Sequence, residues 1–286
     1  MNTPKKNNSA APILPVRRDL KFKLPADRIG TWHEAGGPHI SQFMNTLSLF
    51  FPVGERFFMD SVRHYRDRIT DPELKKAVTA FIGQEAMHGR EHQEYNEALF
   101  AAVPQTVAME RSVARFLGFL QRRLPASLQL STTIALEHFT AILADALLSK
   151  PQVLEGTDPR FAALWRWHAL EETEHKSVAF DVWETVMGRG PRAYLVRSST
   201  LVAATVIFWS IAIPFYLRVL YADRRLTNLK GWRSFFRYGF TRERVLIGLV
   251  GPWADYFRPG FHPWDHDNRQ YLEGVDGFVA PYKAAA

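Results

Sequence analysis

The feature that most constrains this chain is a Glu-x-x-His motif that occurs twice, each time after a helix-like stretch with a single glutamate. Residues three apart on an α-helix lie on the same face, so each motif directs one carboxylate and one imidazole to the same point. Two such helices, with two helices that supply one glutamate each, make the complete ligand set of a two-metal site inside a four-helix bundle. The six residues are Glu55, Glu85, His88, Glu137, Glu172 and His175.

The charge of this ligand set indicates what it binds. Buried carboxylates are very costly without cations, and two divalent ions would cancel the charge of four. Oxygen and imidazole ligands suit iron or manganese better than soft metals. The sequence therefore predicts two metal ions per chain, with iron favoured and manganese as the alternative. We expect the motif glutamates to bridge the ions, although a rotated helix would present Glu171 or Glu174 in place of Glu172.

A third histidine extends the second motif. His168 lies four residues before Glu172 and seven before His175, so all three share one stripe of a helix. This position predicts a third imidazole ligand, and the alternative is a histidine that packs in the core or supports the ligands. His92 follows His88 by four residues, and we expect it to support the ligands rather than bind metal.

Two polar residues directly precede the motif glutamates. Gln84 comes before the first and Glu171 before the second. Each can reach the imidazole of the opposite motif, so that Gln84 would fix the tautomer of His175 and Glu171 that of His88. A solvated or helix-pairing polar group is the alternative for either residue.

Composition limits the other chemistries and partners. The absence of cysteine excludes disulfides, thiolate metal sites and cysteine nucleophiles. The net charge of +7 is uneven, since residues 1–37 carry +4 and residues 189–244 carry +9, which leaves the rest at −6. No recognised nucleic-acid module accompanies the positive charge. We therefore expect a membrane surface, and no nucleic acid, as the partner of the basic regions.

The chain divides into four parts by composition and periodicity. Residues 1–37, rich in Pro, Asn and Lys, predict an extended basic arm, and residues 38–188 have the helical periodicity of the di-metal bundle throughout. Residues 189–244 form an apolar, arginine-flanked helical segment. Residues 245–286, rich in Trp, Phe, Pro and His, predict an irregular tail that wraps the bundle. The predicted fold class is all-α, with extra C-terminal helices that include one long apolar helix.

Prolines mark the predicted helix boundaries inside the bundle. Pro52 predicts a kink or a late start in the first helix. Asp71-Pro72 and Asp158-Pro159 each combine an N-cap residue with a proline at the first helical position. We expect the second of these pairs to open one long helix that runs to about Met187.

Residues 198–217 contain no charged side chain and are bracketed by Arg197 and Arg218. As a helix, twenty residues cover about 30 Å, which is roughly the thickness of the hydrocarbon layer of a bilayer. The segment is either a buried helix packed on the bundle or a helix that dips into or spans a membrane. We expect membrane contact on the cytoplasmic side. Arginines at both ends fit an interfacial segment or a short hairpin.

The ligand pattern resembles that of the ferritin-like di-metal carboxylate superfamily, which implies a ferritin-like bundle. The whole chain, with its Pro-Val-Arg-Arg arm and Phe-His-Pro-Trp tail, resembles a bacterial family labelled predicted metal-dependent hydrolases. With His168 added, the pattern over residues 38–188 is also similar to the three-histidine di-iron site of the p-aminobenzoate N-oxygenase group.

Three functions fit these patterns. The favoured one is an O₂-activating di-iron enzyme that oxidises an apolar, lipid-like or aromatic substrate with an external electron donor. The alternative is a hydrolase that uses a metal-bound hydroxide, as the family label suggests. The third is a non-enzymatic iron-binding protein, to which the long apolar segment is poorly suited. Candidate walls of the substrate pocket are Phe50, Phe51, Phe58, Phe139 and Trp165.

Overall fold

The computed structural model describes residues 13–283; residues 1–12 of the predicted arm and 284–286 of the tail lie outside the described part. Within it the fold is all-α, as predicted, since no strand forms and extended segments meet only in two isolated bridges. The helices are α1 (Pro38–Ser48), α2 (Phe51–Arg63), α3 (Pro72–Ala102), α4 (Gln105–Arg123), α5 (Ala126–Leu148), α6 (Pro159–His175), α7 (Val178–Met187), α8 (Pro191–Ala222), α9 (Leu229–Phe236), α10 (Val250–Asp255) and α11 (Val275–Val279).

The local sequence explains where the longest bundle helices begin. The side chain of Asp71 accepts a hydrogen bond from the backbone N–H of Glu73 at 2.9 Å, directly ahead of α3. Asp158 does the same for Arg160 at 3.0 Å, ahead of α6. These bonds satisfy backbone donors that have no partner inside the helix, so the two predicted helix starts are confirmed.

The kink predicted at Pro52 is a full break. The first stretch forms two helices, α1 and α2, and Pro52 lies in the first turn of α2. A proline is tolerated there because the N–H that it lacks would have no partner in the helix. The break redirects the chain so that α2 starts as a separate helix ahead of Glu55.

The long helix predicted up to Met187 is interrupted between α6 and α7. At the interruption, the ammonium of Lys176 donates to the carbonyl of His266 at 2.6 Å and to the side-chain oxygen of Asn268 at 2.7 Å. Ser177 donates to Asp181 at 2.9 Å. The two bonds of Lys176 hold the C-terminal tail, which lies about ninety residues further along the chain. The local periodicity of the sequence does not predict such a contact.

Four helices surround the centre of the molecule. Helix α2 packs on α3 and α5, and α6 packs on the same two helices. Large aromatic side chains of α2, α3, α6 and α7 are fully buried, among them Phe57, Phe81, Trp167 and Trp183. Helix α8 covers α5 and α1, and α4 covers α2.

The arm from residue 13 to residue 37 is extended but closely packed. It contains no α-helix, yet Leu20, Phe22 and Trp32 are buried. Trp32 stacks on Phe161 of α6 with the ring centroids 5.2 Å apart and the planes at 5°. The arm is therefore part of the folded core rather than a free extension.

Helix α8 contains the predicted apolar segment. Among the described residues it is the one helix long and apolar enough to cross a membrane, with a mean hydropathy of 1.9 over its most apolar eighteen residues. Only 28% of that window is buried. Large apolar side chains are exposed along its outer side: Leu195, Val202, Val206, Ile213, Leu217 and Tyr221.

Candidate metal centre

The two motifs, the two single glutamates and His168 converge at the centre of the four packed helices. Their ligand atoms form three overlapping groups, and within each group the atoms lie within 4.8 Å of one another. Each group is one that could hold a metal ion. All seven side chains are buried. The groups are Glu55 with His88 and His168, Glu85 with Glu137 and His175, and Glu85 with His88 and Glu172.

His175 faces three carboxylates with one ring nitrogen. Its Nε2 lies 3.1 Å from Glu85, 3.5 Å from Glu172 and 3.7 Å from Glu137. Its Nδ1 lies 2.9 Å from the side-chain oxygen of Gln84. An amide oxygen only accepts, so Nδ1 carries a proton and Nε2 is the nitrogen that faces the carboxylates. Burial lowers the pKa of this ring, but Glu172 and Glu85 outweigh it and hold the pKa well above the usual range.

His88 has the reverse orientation, with Nδ1 rather than Nε2 facing the carboxylates of the cluster. Its Nε2 lies 3.2 Å from an oxygen of Glu171, and its Nδ1 lies 3.8 Å from Glu172. Its ring stacks on that of His168 with the centroids 4.2 Å apart. The structure thus contains both contacts expected behind the imidazoles, Gln84 with His175 and Glu171 with His88.

A chain of hydrogen bonds sets the tautomer of His168. Asn96 donates its amide N–H groups to Ser48 O and to Glu110, so its oxygen must accept from the hydroxyl of Ser48 at 2.7 Å. That hydroxyl therefore accepts from Nδ1 of His92 at 2.9 Å, which leaves Nε2 of His92 as an acceptor. Nδ1 of His168 therefore donates a hydrogen bond of 2.8 Å to Nε2 of His92.

This tautomer leaves Nε2 of His168 without a hydrogen. That nitrogen lies 3.0 Å from an oxygen of Glu172. His168 itself belongs to the candidate metal group that contains Glu55 and His88. Two acceptors at this distance need a cation or a proton between them. The arrangement suits His168 as a ligand and His92 as the residue that orients it, which are the roles predicted from the sequence.

Burial dominates the ionisation of the carboxylates. It raises the pKa of Glu55 and of Glu137 well above the usual range, and the neighbouring carboxylates raise both further. Burial also raises the pKa of Glu85. At Glu172 burial acts the same way, but contacts with the imidazoles outweigh it and hold the pKa well below the usual range. The cluster thus carries more carboxylate than its histidines can compensate.

The donor atoms fit divalent ions. Among the residues that the structure describes, neither carboxylate oxygen of Glu55, Glu85 or Glu137 has a hydrogen-bond partner, although all six oxygens are buried. Buried oxygens are otherwise nearly always paired. Gly89 of α3 helps to form the cluster, because a Cβ at that position would lie 3.1 Å from Glu55 Oε2.

Comparison with known proteins assigns the chain to a family. The sequence pattern of a family described as predicted metal-dependent hydrolases matches residues 16–267. The chain belongs to that family. No curated protein and no solved structure matches the chain. Membership supports a metal-dependent enzyme, and its description fits the hydrolytic alternative better than the oxidative function favoured from the ligand pattern.

In this member of the family, one arginine of the arm connects the residues behind both imidazoles. Arg18 is buried and lies 3.1 Å from Glu171 and 2.7 Å from Glu174. Glu174 in turn accepts a hydrogen bond of 2.7 Å from Gln84. Glu171 and Glu174 therefore face Arg18, while Glu172 faces the cluster.

Sequence reasoning did not single out Arg18. A signal was present, because Arg18 alternates with Leu20 and Phe22, and in an extended segment alternate residues share a face. A basic residue on a buried face needs an acidic partner. The pairing with Glu171 and Glu174 spans more than 150 positions of the chain, so the spacing alone could not identify it.

A cavity of about 520 Å³ adjoins the cluster on the side of α2 and α5. Of the seven candidate ligands, Glu55 lines it. Four of the five aromatic residues expected as walls also line it, namely Phe50, Phe51, Phe58 and Phe139. Trp165 does not; it lines a smaller space beside His168 and Glu172. His138, next to Glu137 in the sequence, points away, and its Nε2–H donates to the carbonyl of Pro252 at 3.1 Å.

Proposed function

We propose that this protein is a metal-dependent hydrolase with a di-metal centre inside a ferritin-like four-helix bundle. Helices α2, α3, α5 and α6 form the bundle, and each supplies at least one ligand. The observation that supports this most is the convergence of seven buried donor side chains, among which the carboxylate oxygens of Glu55, Glu85 and Glu137 have no hydrogen-bond partner in the described part of the chain. Divalent ions would compensate the charge of such a set.

The three overlapping groups suggest how two ions share the ligands. Glu137 and His175 would hold one ion, while Glu55, His88 and His168 would hold the other. Glu85 and Glu172 lie between the two histidines of the motifs and would bridge the ions. Iron and manganese suit this set of oxygen and imidazole donors.

Bound divalent ions supply a water nucleophile of lowered pKa and polarise a carbonyl or phosphoryl oxygen. The protein provides the rest of the hydrolytic site. Gln84, Glu171 and His92 fix the orientation of the three imidazoles. Glu55 lines the cavity, so it would be the ligand next to a bound substrate.

Oxidation with O₂ is the second candidate. It is favoured by the third imidazole and by the apolar lining of the cavity, which suits a substrate without a polar group at the reacting position. An external electron donor would then be required, because the chain has no cysteine for an iron–sulfur cluster.

The deciding experiment measures metals per chain after purification without oxygen, followed by two activity assays. Esters and amides with apolar acyl groups are offered with manganese or zinc under nitrogen, and O₂ uptake is recorded with iron and a chemical reductant. Hydrolysis without oxygen supports the proposal. Hydrolysis absent with every metal, together with substrate-dependent O₂ uptake, would replace it with the oxidative function.

The ligand assignment has its own test. We expect Glu85→Ala to lose both ions, because Glu85 belongs to two of the three groups. Glu73→Ala, at an exposed position on the same helix, is the matched control and should retain them. Two ions per chain in the Glu85 variant would show that the ligand set is wrong.

We also propose that the protein associates with the cytoplasmic surface of a membrane through the outer side of α8. Apolar side chains are exposed along this helix, and residues 189–244 carry a net charge of +9. Anionic headgroups attract such a segment while the apolar face enters the leaflet. We expect sedimentation with vesicles that contain phosphatidylglycerol and a marked reduction for Val206→Asp. Equal sedimentation of both proteins would contradict this proposal.

A further inference from the structure

The cavity beside Glu55 has a lining that selects one chemical class of ligand. Most of its wall is aliphatic or aromatic, and its polar members besides Glu55 are Thr132, Thr140, Ser199 and Thr200. All four hydroxyls donate to backbone carbonyls of their own helices, at 2.7 to 3.1 Å. Among the described lining residues, the indole N–H of Trp209 is the one donor without a hydrogen-bond partner, and the wall has no positive charge.

This lining excludes sugars, nucleotides and amino acids from the body of the cavity, because their polar groups would be buried without partners. A hydrocarbon chain has no polar group to bury on entering, and each methylene removed from water adds to its binding. The volume of about 520 Å³ falls within the range of about 300–1,000 Å³ typical of small-molecule sites. The cavity thus fits one long acyl or alkyl chain.

Lining residues of α4 and α8 reach the surface, which places the mouth of the cavity between these two helices. On α8, Ser199, Ala203 and Ile207 are exposed and also line the cavity; they are four residues apart and therefore form one edge of the helix. On α4 and at the residue that follows its end, half-buried apolar residues with the same spacing also line the cavity: Phe116, Leu120 and Leu124. An apolar chain can pass between these two edges.

The mouth opens on the face proposed to contact the membrane. Val202 and Val206 directly precede Ala203 and Ile207, and they are 45% and 64% exposed. With this face in a leaflet, a lipid chain would move from the bilayer into the cavity without crossing water. The far end of the cavity presents Glu55, which belongs to the candidate metal groups.

We infer that the cavity binds a single long hydrocarbon chain taken from a membrane lipid, with the reacting group held next to Glu55. The reaction itself rests on the proposed function, but the binding of the chain does not. A long-chain ester or amide would place its carbonyl at the metal centre and its acyl chain along the cavity toward the mouth.

The test uses the full chain and a polyene fatty acid whose fluorescence increases in an apolar environment. We expect saturable binding that hexadecanoate displaces and butanoate does not. Ala204→Phe places a ring inside the cavity, and we expect binding to weaken at least about tenfold, the equivalent of two lost methylenes. Val202→Phe adds the same ring outside the cavity and should bind like the natural chain.

A second cavity variant and a vesicle assay complete the test. Thr132→Phe blocks the cavity from α5, in case Ala204→Phe fails to fold. Fluorescent phosphatidylglycerol in vesicles distinguishes the source of the chain. Unchanged probe binding in both folded cavity variants would overturn the inference, and binding of the free acid without transfer from vesicles would overturn the membrane origin.

Binding of the hydrocarbon chain and metal-dependent hydrolysis can be tested independently of each other. Glu85→Ala should lose the metals yet still show saturable probe binding that hexadecanoate displaces, because Glu85 does not line the cavity that holds the chain. Probe binding without any metal-dependent hydrolysis would contradict the proposed reaction and leave the hydrocarbon site standing.

Discussion

The two sides of the candidate metal centre are constructed differently. On the side of α3 and α6, each motif imidazole has a polar residue behind it, and Arg18 contacts the acids of that layer. On the side of α2 and α5, neither Glu55 nor Glu137 has a side-chain hydrogen bond from any described residue. The first side is cross-linked by charge and hydrogen bonds, whereas the second adjoins an apolar cavity.

The difference indicates which ligands can move. A ring fixed by a second hydrogen bond keeps its orientation whether or not an ion is bound. A carboxylate without such a bond can change between one and two bonded oxygens, and so can make room for a substrate. We therefore expect the histidines to define the positions of the ions and the single glutamates to adapt, with Glu55 doing so toward the cavity.

The largest expected effect comes from Arg18→Met. The substitution leaves Glu174, which accepts two hydrogen bonds from Arg18, buried without its cation, and loss of one partner from a buried pair costs about 3–5 kcal/mol. Chemical denaturation of the metal-free protein measures the loss in free energy of unfolding. Arg17→Met, at an exposed neighbouring position, is the control. A loss below about 1 kcal/mol would remove the contrast between the two sides.

The metal-free protein should also lose stability as the pH rises from about 6.5 to about 8. Above 6.5 the unfolded chain has ionised carboxyls and neutral histidines. The folded chain keeps a proton on Glu171, because burial raises the pKa of that carboxyl to about 8. Burial likewise raises the pKa of Glu55 and Glu137. Because the folded state then binds more protons, its stability decreases with pH.

Two conditions sharpen the pH measurement. Lys176 acts in the opposite direction, because burial lowers its pKa to about 7, but it is one group against several. Divalent ions replace the protons of the cluster, so the metal-loaded protein should show a weaker dependence over the same range. Thermal unfolding at several pH values, with and without a chelator, gives the comparison. Identical slopes for the two forms would contradict the electrostatic account of the cluster.

An intermediate effect is expected for Gln84→Leu. It removes the hydrogen bond that orients His175, and loss of such a residue typically weakens metal affinity about 10–100-fold. Thr140→Val on the cavity side, whose hydroxyl bonds only to its own helix, should change affinity by less than about threefold. Competition with a chelator measures both. Equal losses would show that the two sides are held alike.

The smallest effect is expected for Gly89→Ala. The new methyl group would lie 3.1 Å from Glu55 Oε2, so the carboxylate must shift by a few tenths of an ångström. If Glu55 is adaptable, metal affinity should fall by less than about tenfold, while helix propensity adds about 0.5–1 kcal/mol of stability. Complete loss of the metals would instead indicate that Glu55 is held as firmly as the histidines.

The sequence was most informative where function depends on spacing within one helix. The Glu-x-x-His motifs, His168 and the preceding Gln84 and Glu171 could be placed because i, i+1, i+3 and i+4 relations fix directions around a helix axis. The all-α fold and the capped starts of α3 and α6 followed from the same local rules.

What the sequence did not provide depends on contacts between distant segments. The arm pairs Arg18 with Glu174, the tail interrupts α6 and α7 at Lys176, and Asn96 and Ser48 meet from different helices to set His92. No periodicity in the sequence predicts any of these contacts. The cavity was foreseen only as a set of aromatic candidates, since its mouth depends on how α8 lies on the bundle.

The bond between Arg18 and the second motif has a consequence for how the protein is made. Arg18 precedes Glu171 and Glu174 by 153 and 156 residues. At about 5–20 residues per second, the ribosome needs roughly 8–30 s to deliver these partners after the arm has emerged. During that interval Leu20 and Phe22 have no bundle to cover them. We therefore expect the candidate centre to bind metal only after α6 has been synthesised and the arm has closed over it, which would make metal binding the last stage of biogenesis.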